Sequence, residues 1–395
     1  MDRDWFEHSS TIVITDQEKK LTTVYYLLFT DMPPNPRPEI ESLPKVHHGA
    51  PDFAELEHLG LSPDQVLDFS VNSNPYGPSP AVQTALALVP LDRYPDREAL
   101  ALRRSFSFQT NLPVEYILAG NGTAELIWLI TLTYLQSGDQ VLIIGPTFGE
   151  YANAAALMGA ETHEWRAQPE DDFKPNPVRI TEKLQQSYYR LVFICNPNNP
   201  TGQVLPIESL ERWAQDHPKT LFVIDEAYIS FAKGLESATH IVQPNVLVLR
   251  SITKDYALAG LRLGFAVGTE TVIQALAKTR PPWSVNSLAQ AAGIAALGDA
   301  AHLSTCLQNI RHDKEFLVTG LVELGLSPVP SQTHFFLLPV KDGAAFRSRL
   351  LRSAIQVRDC ASFGLPAYVR IATRSYEENK SILSAIKDMG VFQMS

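Results

Sequence analysis

The chain has 395 residues, of which 45% are hydrophobic and 19% charged, so most of it can fold around a core and is not intrinsically disordered. Its 33 basic and 43 acidic residues give a formal net charge of −10, which argues against a nucleic-acid-binding surface. The cysteines Cys195, Cys306 and Cys360 are too few for a disulfide framework, and none belongs to a CxxC pair. No apolar run approaches the ~18 residues needed to span a membrane, and the charged N-terminus is unlike a signal peptide. We therefore expect a cytoplasmic protein that binds neither nucleic acid nor membrane.

The first 45 residues differ from the rest of the chain. Thr11–Ile14 and Leu21–Phe29 have the pattern of short strands, and Met32–Pro38 (MPPNPRP) has the composition of a polyproline linker. We interpret residues 1–45 as an N-terminal extension of unknown role. The remaining domains are predicted to be an arm with part of a small domain at 46–90, a large domain at 91–290 and a small C-terminal domain at 291–395.

Short apolar runs alternate with helical patterns through the middle of the chain, which predicts a large, mostly parallel sheet covered by helices on both faces. The predicted strands are Tyr116–Ala119, Gln140–Ile144, Leu191–Asn196, Leu221–Asp225, Val246–Arg250 and Leu263–Val267. Between some of them lie the predicted helices Thr123–Tyr134 and Leu205–Asp216. The C-terminal part reads as a smaller α+β domain with elements at Ala301–Glu323, Thr333–Leu338, Ala344–Ser353, Ala367–Thr373 and Glu377–Asp388. The fold class is therefore α/β with a second, smaller α+β domain.

A lysine follows one of the predicted buried strands in the segment Ser251-Ile-Thr-Lys254. A lone lysine in a turn is normally a solvated surface group. Lys254, however, lies at the carboxyl end of a strand, where α/β sheets bind ligands. A buried lysine has a lowered pKa and can form a Schiff base, while the hydroxyls of Ser251 and Thr253 and the guanidinium of Arg262 suit a phosphate.

Two further motifs follow strands of the same sheet. Asp225, in DEAY, is by itself a candidate helix N-cap, but it could also hold a heterocyclic nitrogen protonated, with Tyr228 donating to a ring oxygen. Asn199, in NPNNPTG, is presented by a rigid turn.

Two more turns belong to the set. The turn that contains Gly122, Thr123 and Ala124 opens a helix and exposes backbone N–H groups to an anion, although many such turns are only turns. Phe148 could lie against a flat ring, and a place in the core explains it equally well.

Taken together, these motifs resemble those of the fold-type-I pyridoxal-phosphate enzymes, the aspartate-aminotransferase-like superfamily, over about residues 47–390. The resemblance implies that Lys254 forms the Schiff base with pyridoxal 5′-phosphate and that Asp225 pairs with its pyridine nitrogen. It implies that Tyr228 and Asn199 bind the ring hydroxyl. Phe148 takes the stacking position, which is often Tyr in relatives.

The same resemblance implies a cofactor-phosphate site and a homodimer. The residues that match the phosphate site are Gly122, Thr123, Ala124, Ser251, Thr253 and Arg262. Tyr94 resembles the tyrosine that relatives lend to the cofactor phosphate of the neighbouring subunit, which implies a homodimer with shared active sites. No metal is expected.

Substrate residues are implied in the same way. Arg370 resembles the arginine that binds a substrate α-carboxylate, and Arg358 matches one that relatives use for a substrate phosphate. Asn74 and His48 resemble residues close to the substrate. For either arginine, a place on a surface strand without a ligand is the simpler alternative. The implied substrate is a small phosphorylated amino compound.

The resemblance is strongest to the branch that holds histidinol-phosphate aminotransferase and L-threonine-O-3-phosphate decarboxylase. Four features favour the decarboxylase: His48-Gly49 at the start of the globular part, Thr253 before the lysine, the segment PPWSVN at 281–286, and no acidic residue directly before Glu125. One feature argues against it, since this chain has His-Gly-Ala where the decarboxylase often has His-Gly-Gly.

The expected reaction is the decarboxylation of L-threonine O-3-phosphate to (R)-1-amino-2-propanol O-2-phosphate, the linker precursor of cobalamin. The alternative is a transaminase of the histidinol-phosphate:2-oxoglutarate type. A non-enzymatic, aminotransferase-like effector sensor is a remote alternative, because residues 1–45 are too short and too poor in basic helix for a winged-helix DNA-binding domain.

Overall fold

A computed structural model describes residues 35–41, 43, 49–241 and 243–390. The chain divides into two units, Met1–Ser42 and Leu43–Ser395. Within the first unit, the described residues include one helical turn, Pro38–Glu41. The strands expected at Thr11–Ile14 and Leu21–Phe29 and the linker residues 32–34 lie outside the described residues.

A seven-stranded sheet forms the centre of the second unit, with the strand order β2-β8-β7-β6-β5-β3-β4. Its strands are β2 Ile117–Gly120, β3 Gln140–Gly145, β4 Glu161–Arg166, β5 Leu191–Cys195, β6 Leu221–Asp225, β7 Val246–Ser251 and β8 Gly264–Val267. Neighbouring strands are parallel except at β8, which is antiparallel to both β2 and β7. The six strands predicted for this sheet are present within a residue or so at each end, and the predicted fold class is confirmed.

The strand β4 was not predicted from the sequence. Its residues read Glu-Thr-His-Glu-Trp-Arg, and none of them is fully buried. β4 lies at the edge of the sheet and pairs only with β3, so it needs neither the apolar run nor the strict alternation by which central strands are recognised.

Thirteen helices occur in the described residues, one of them the single turn already given. They are α1 Pro38–Glu41, α2 Phe53–His58, α3 Pro80–Ala87, α4 Leu100–Thr110, α5 Gly122–Tyr134, α6 Glu150–Leu157, α7 Pro177–Leu184, α8 Ile207–Asp216, α9 Glu270–Thr279, α10 Ser287–Leu297, α11 Ala300–Glu323, α12 Gly343–Leu351 and α13 Tyr376–Asp388. Capping residues define where two of these helices begin. The Asn176 side chain caps the N-terminus of α7 ahead of Pro177, and Ser375 with Glu378 forms a capping box at the N-terminus of α13. No helix in the described part of the chain is long and apolar enough to cross a membrane.

Two apolar layers sandwich the large sheet. On one face, Leu102 and Phe106 of α4 and Trp213 of α8 belong to a core cluster with inward residues of the strands. On the other face, Leu126 of α5 and Tyr151 of α6 belong to a second cluster. Burying both faces explains why the central strands read as continuous apolar runs.

A smaller lobe is built around the antiparallel strands β9 Phe335–Pro339, β11 Arg358–Asp359 and β12 Tyr368–Ala372, in the order β11-β12-β9. β1 (Leu67–Asp68) pairs in parallel with β10 (Ile355–Gln356), so a segment that precedes the large sheet joins the lobe that follows it. This pairing agrees with an arm that contributes to the small domain, while the domain bounds stay a prediction.

Candidate active site

Lys254 lies in the loop that follows β7, and this loop is held by the N-terminal arm. The backbone N–H of Asn74 donates to the carbonyl of Lys254 at 2.8 Å, and the Asn74 amide donates to the carbonyl of Asp255 at 2.9 Å. Burial, together with the positive charges of Arg370 and Arg262, lowers the pKa of Lys254 to about 8. A lysine in this state is a neutral nucleophile in a sizeable fraction of molecules near neutral pH.

Asp225 ends β6 and is almost completely buried. One of its carboxylate oxygens accepts the Tyr151 hydroxyl at 2.7 Å, and the other accepts the backbone N–H of Ala227 at 3.0 Å. Burial raises the pKa of Asp225 to about 6, and the two hydrogen bonds oppose that rise. A buried carboxylate held in place by two donors can pair with a protonated ring nitrogen.

Tyr151 is the residue of this site that sequence reasoning missed. It is fully buried in α6, stacks on Phe193 with 4.8 Å between ring centroids, and meets Phe148 edge-on. The only signal in the sequence is its place three residues after Phe148. An aromatic residue at that spacing is typical of a core-facing helix position, so the sequence alone does not separate it from ordinary packing.

Replacing Tyr151 by phenylalanine should weaken cofactor binding about tenfold or more, because a hydrogen bond to a charged group contributes ~1.5–3 kcal/mol. Absorbance titration of the apoprotein with pyridoxal phosphate measures this affinity. Tyr189→Phe is a matched control, since Tyr189 is another buried tyrosine, in the core near His163. Equal affinities for Tyr151→Phe and the control would contradict the assigned role.

The proposed phosphate residues meet at one corner of the sheet. Ser251, at the end of β7, pairs with Gly264 on β8. A Cβ at Gly264 would lie 2.9 Å from the backbone nitrogen of Thr123, and one at Gly122 would lie 2.8 Å from a guanidinium nitrogen of Arg262. The corner is therefore a close-fitting cradle at the N-terminus of α5, where backbone N–H groups and the helix dipole favour an anion.

The remaining phosphate candidates lie beside this cradle. The hydroxyls of Ser251 and Thr253 are 2.8 Å apart, and Ala124 is in the first turn of α5. Arg262 is exposed and has a φ of +56°. The corner thus combines backbone donors, two hydroxyls and one cation, which is the donor set of a phosphate-ester site.

Asn199 and Tyr228 lie close to the carboxyl ends of β5 and β6. The Asn199 carbonyl oxygen accepts a hydrogen bond from Arg370. Tyr228 is buried against Phe335, and burial raises the pKa of its hydroxyl to about 12. Both side chains can therefore act as neutral donors to a ring oxygen.

Two buried arginines lie side by side on neighbouring strands of the small lobe. Arg358 on β11 and Arg370 on β12 are direct cross-strand partners, and they are 8% and 5% exposed. Arg370 donates to Asn199 and to the carbonyl of Ser70, while Arg358 donates to the Ser362 hydroxyl at 2.7 Å. Two neighbouring guanidinium groups can bind a ligand that carries two anionic groups.

Of three other predicted residues, the structure describes Asn74 and Tyr94 but not His48. The Asn74 side chain donates to the backbone carbonyl of Asp255 and accepts from the backbone N–H of Tyr76. These hydrogen bonds support a role in holding the loop that carries Lys254. Tyr94 is 79% exposed and stacks on Trp283. His48 lies outside the described residues; a Cβ on the next residue, Gly49, would lie 3.6 Å from an Arg370 guanidinium nitrogen.

Comparison with known proteins agrees with this geometry. The sequence model of the class I and II aminotransferases matches residues 64–386, and the chain belongs to this family. It is 38% identical to a histidinol-phosphate aminotransferase of Symbiobacterium thermophilum, over 86% of this chain and 94% of that protein. It is 35% identical to the threonine-phosphate decarboxylase of Salmonella typhimurium, over 84% and 93%.

Solved structures give the same result. A histidinol-phosphate aminotransferase from Sinorhizobium meliloti in complex with pyridoxal 5′-phosphate superposes with a TM-score of 0.81 at 25% identity, covering 91% of this chain and 99% of that one. The L-threonine-O-3-phosphate decarboxylase from Porphyromonas gingivalis gives 0.72 at 27% identity, covering 81% and 98%. The chain is thus a pyridoxal-phosphate-dependent enzyme, either a decarboxylase or an aminotransferase, and the glycine cradle at Gly122 and Gly264 fits the cofactor phosphate.

Proposed function

We propose that this enzyme decarboxylates L-threonine O-3-phosphate to (R)-1-amino-2-propanol O-2-phosphate. The observation that carries the proposal is the cross-strand pair of Arg358 and Arg370. Threonine phosphate has a carboxylate on Cα and a phosphate ester on the adjacent carbon, so its two anionic groups lie close together. Directly opposed residues have their Cβ atoms about 5 Å apart, which suits such a short dianion. The product would serve as a linker precursor in cobalamin biosynthesis.

Bound pyridoxal phosphate supplies an electron sink for the bond that breaks at the substrate Cα. In this proposal Arg370 holds the carboxylate and Arg358 the phosphate, which fixes the orientation of Cα. The bond from Cα to the carboxylate breaks, carbon dioxide leaves, and the electron pair stays with the organic product. Lys254, whose pKa of about 8 suits proton transfer, returns a proton to Cα. Asp225 keeps the cofactor nitrogen protonated, while Asn199 and Tyr228 hold the ring oxygen.

A transaminase of the histidinol-phosphate type is the second candidate. It is at least as well supported by the comparisons, because histidinol-phosphate aminotransferases outnumber the decarboxylase among the relatives of highest similarity. Both reactions need the same cofactor site and differ in which Cα bond breaks. Histidinol phosphate has no carboxylate, so in that reaction its phosphate dianion and the dicarboxylate co-substrate would occupy the arginine pair in turn.

We also propose that the enzyme is a homodimer in which Tyr94 completes the cofactor-phosphate site of the partner. Support comes from an exposed apolar surface around this residue. Tyr94, Leu88 and Leu91 are each about four-fifths exposed, and Trp283 adds a second aromatic ring. Apolar side chains clustered on a surface are typical of an interface.

Replacing Arg358 by alanine tests the substrate assignment. Loss of a charge-assisted contact worth ~1.5–3 kcal/mol should lower kcat/KM for threonine phosphate roughly 10- to 150-fold. Activity on unphosphorylated threonine should change little. Arg352→Ala, which removes an exposed arginine just after α12, is the matched control. Equal losses on both substrates would remove Arg358 from the phosphate role.

The reaction type is tested by product analysis. Holoenzyme with threonine phosphate alone should release carbon dioxide. Rapid formation of glutamate from histidinol phosphate and 2-oxoglutarate would instead favour the aminotransferase over the decarboxylase.

A further inference from the structure

A cavity that we name the α11 cavity is lined by residues other than the site residues assigned above and has a volume of about 280 Å³. One wall is the α11 face formed by Leu307, Arg311, Lys314 and Val318, whose spacing of three and four residues places them on one side of a helix. The other walls are the segment from Phe231 to Lys233 and the loop Ser331–His334 that leads into β9. The first of these segments begins three positions after Tyr228, and the second leads into Phe335, which packs against Tyr228.

The cavity has an excess of positive charge. Lys233, Arg311 and Lys314 line it, against the single carboxylate of Glu315. Among the described residues, none of these three cations has a carboxylate oxygen within the 4.0 Å of an ion pair. Lys314 donates to the Ser331 carbonyl at 2.6 Å, which uses one of its three N–H bonds. An anion in the cavity would therefore meet cations that are not yet neutralised.

Lys314 is the most constrained of these cations. Burial lowers its pKa to about 8, and only the charge of Glu315 opposes that effect. A partly buried ammonium group with a single neutral acceptor is a costly arrangement unless a counter-charge is supplied. The hydrogen bond to Ser331 holds the ammonium between two walls of the cavity.

His334 adds an independent observation. It lines the cavity and is 2% exposed, and among the described residues neither ring nitrogen makes a hydrogen bond of good geometry, although the Asn72 backbone lies nearby. Its ring lies on Phe231 with 3.7 Å between centroids. Buried polar atoms are nearly always well paired in folded proteins, so this imidazole has unused capacity to bind water or a ligand.

The rest of the lining is apolar. Phe231, Leu307, Ile310 and Val318 form a hydrophobic surface next to the cations. An inorganic ion would leave this surface in contact with water. A molecule that has an anionic group at one end and an apolar or aromatic body at the other would use both parts.

We propose that the α11 cavity binds a small organic anion, with its carboxylate or phosphate against Lys314, Arg311 and Lys233 and its apolar body on Phe231 and Leu307. The lining of this cavity includes neither Arg358 nor Arg370 of the proposed substrate site. The proposal does not depend on whether the enzyme is a decarboxylase or an aminotransferase.

Calorimetric titration of the holoenzyme tests the proposal, with phenyl phosphate, benzoate and inorganic phosphate as probes. All titrations are run in an Arg358→Ala background, so that the proposed substrate-phosphate site does not contribute. The double variant Lys233→Ala/Arg311→Ala removes two exposed cations from the cavity. The matched control Arg352→Ala/Lys387→Ala removes two exposed cations elsewhere in the same lobe.

We expect phenyl phosphate or benzoate to bind, and the cavity double variant to weaken that binding at least about tenfold while the control stays within about twofold. A preference for phenyl phosphate identifies a phosphate ligand, and a preference for benzoate identifies a carboxylate. Leu307→Trp, which fills the apolar part, should abolish binding in a protein with unchanged circular dichroism.

The opposite results would overturn the proposal. They are the absence of millimolar binding by either aromatic probe, and equal binding by the cavity double variant and the control. Inorganic phosphate that binds as tightly as phenyl phosphate would overturn the assignment of the apolar surface to the ligand.

Discussion

Lys254→Ala is expected to lower turnover by at least ~1,000-fold, because it removes both the covalent attachment point of the cofactor and the group that transfers the proton. The visible absorbance of attached pyridoxal phosphate should disappear with it. The measurement is a spectrum of the purified variant before and after borohydride treatment, beside a steady-state assay. Lys278→Ala, which removes an exposed lysine from α9, is the control and should behave like the wild type.

One result would contradict the role of Lys254. If borohydride treatment still attaches one equivalent of pyridoxal phosphate covalently to Lys254→Ala, another lysine carries the cofactor. The lowered pKa of Lys254 would then reflect only its burial beside Arg370 and Arg262.

Asp225→Asn is expected to lower kcat roughly 100- to 1,000-fold, the range measured when one preorganised electrostatic group is removed from an active site. The asparagine keeps the size of the side chain but cannot carry the charge that keeps a ring nitrogen protonated. Asp216→Asn, at the exposed end of α8, is the control. Activity of Asp225→Asn within a few fold of wild type would contradict the role of Asp225.

The pH dependence of cofactor binding provides a second readout of Asp225. Its pKa is raised to about 6, so the carboxylate is charged above that pH and becomes neutral below it. Cofactor affinity of the wild type should therefore fall as the pH drops through about 6, and Asp225→Asn should lack this inflection. The same inflection in both proteins would assign the titration to another group.

The sequence predicted that the candidate cofactor residues lie together because their motifs follow parallel strands. Cys195, Asp225 and Ser251 end the neighbouring strands β5, β6 and β7, so the motifs that follow these strands converge at one edge of the sheet. That convergence is a property of any parallel sheet. Predicting this convergence requires only the strand assignments, and the apolar runs identify those strands.

Other parts of the site depend on tertiary contacts that leave no local signal. The hydrogen bond between Tyr151 and Asp225 joins residues 74 positions apart. The arginine pair depends on the register of β11 against β12, and β11 is only two residues long. The amide of Asn74 reaches the backbone of the lysine loop, 181 positions away, where the sequence predicted only a place near the substrate.

The departure from His-Gly-Gly also has a structural consequence. Ala50 has a φ of +106°, in a region that favours glycine, and its backbone N–H donates to the Ser70 hydroxyl at 3.1 Å. Glycine would adopt this conformation with less strain than alanine does. The segment lies beside the Ser70 carbonyl, which accepts from Arg370.

The central claim, that the bond to the carboxylate breaks, is tested most directly with threonine phosphate labelled with ¹³C in its carboxyl group. Holoenzyme without any keto acid should convert the label to carbon dioxide and bicarbonate over many turnovers, with aminopropanol phosphate as the co-product. Retention of the label in the amino acid, together with rapid glutamate formation from histidinol phosphate and 2-oxoglutarate, would contradict the claim and identify the enzyme as an aminotransferase.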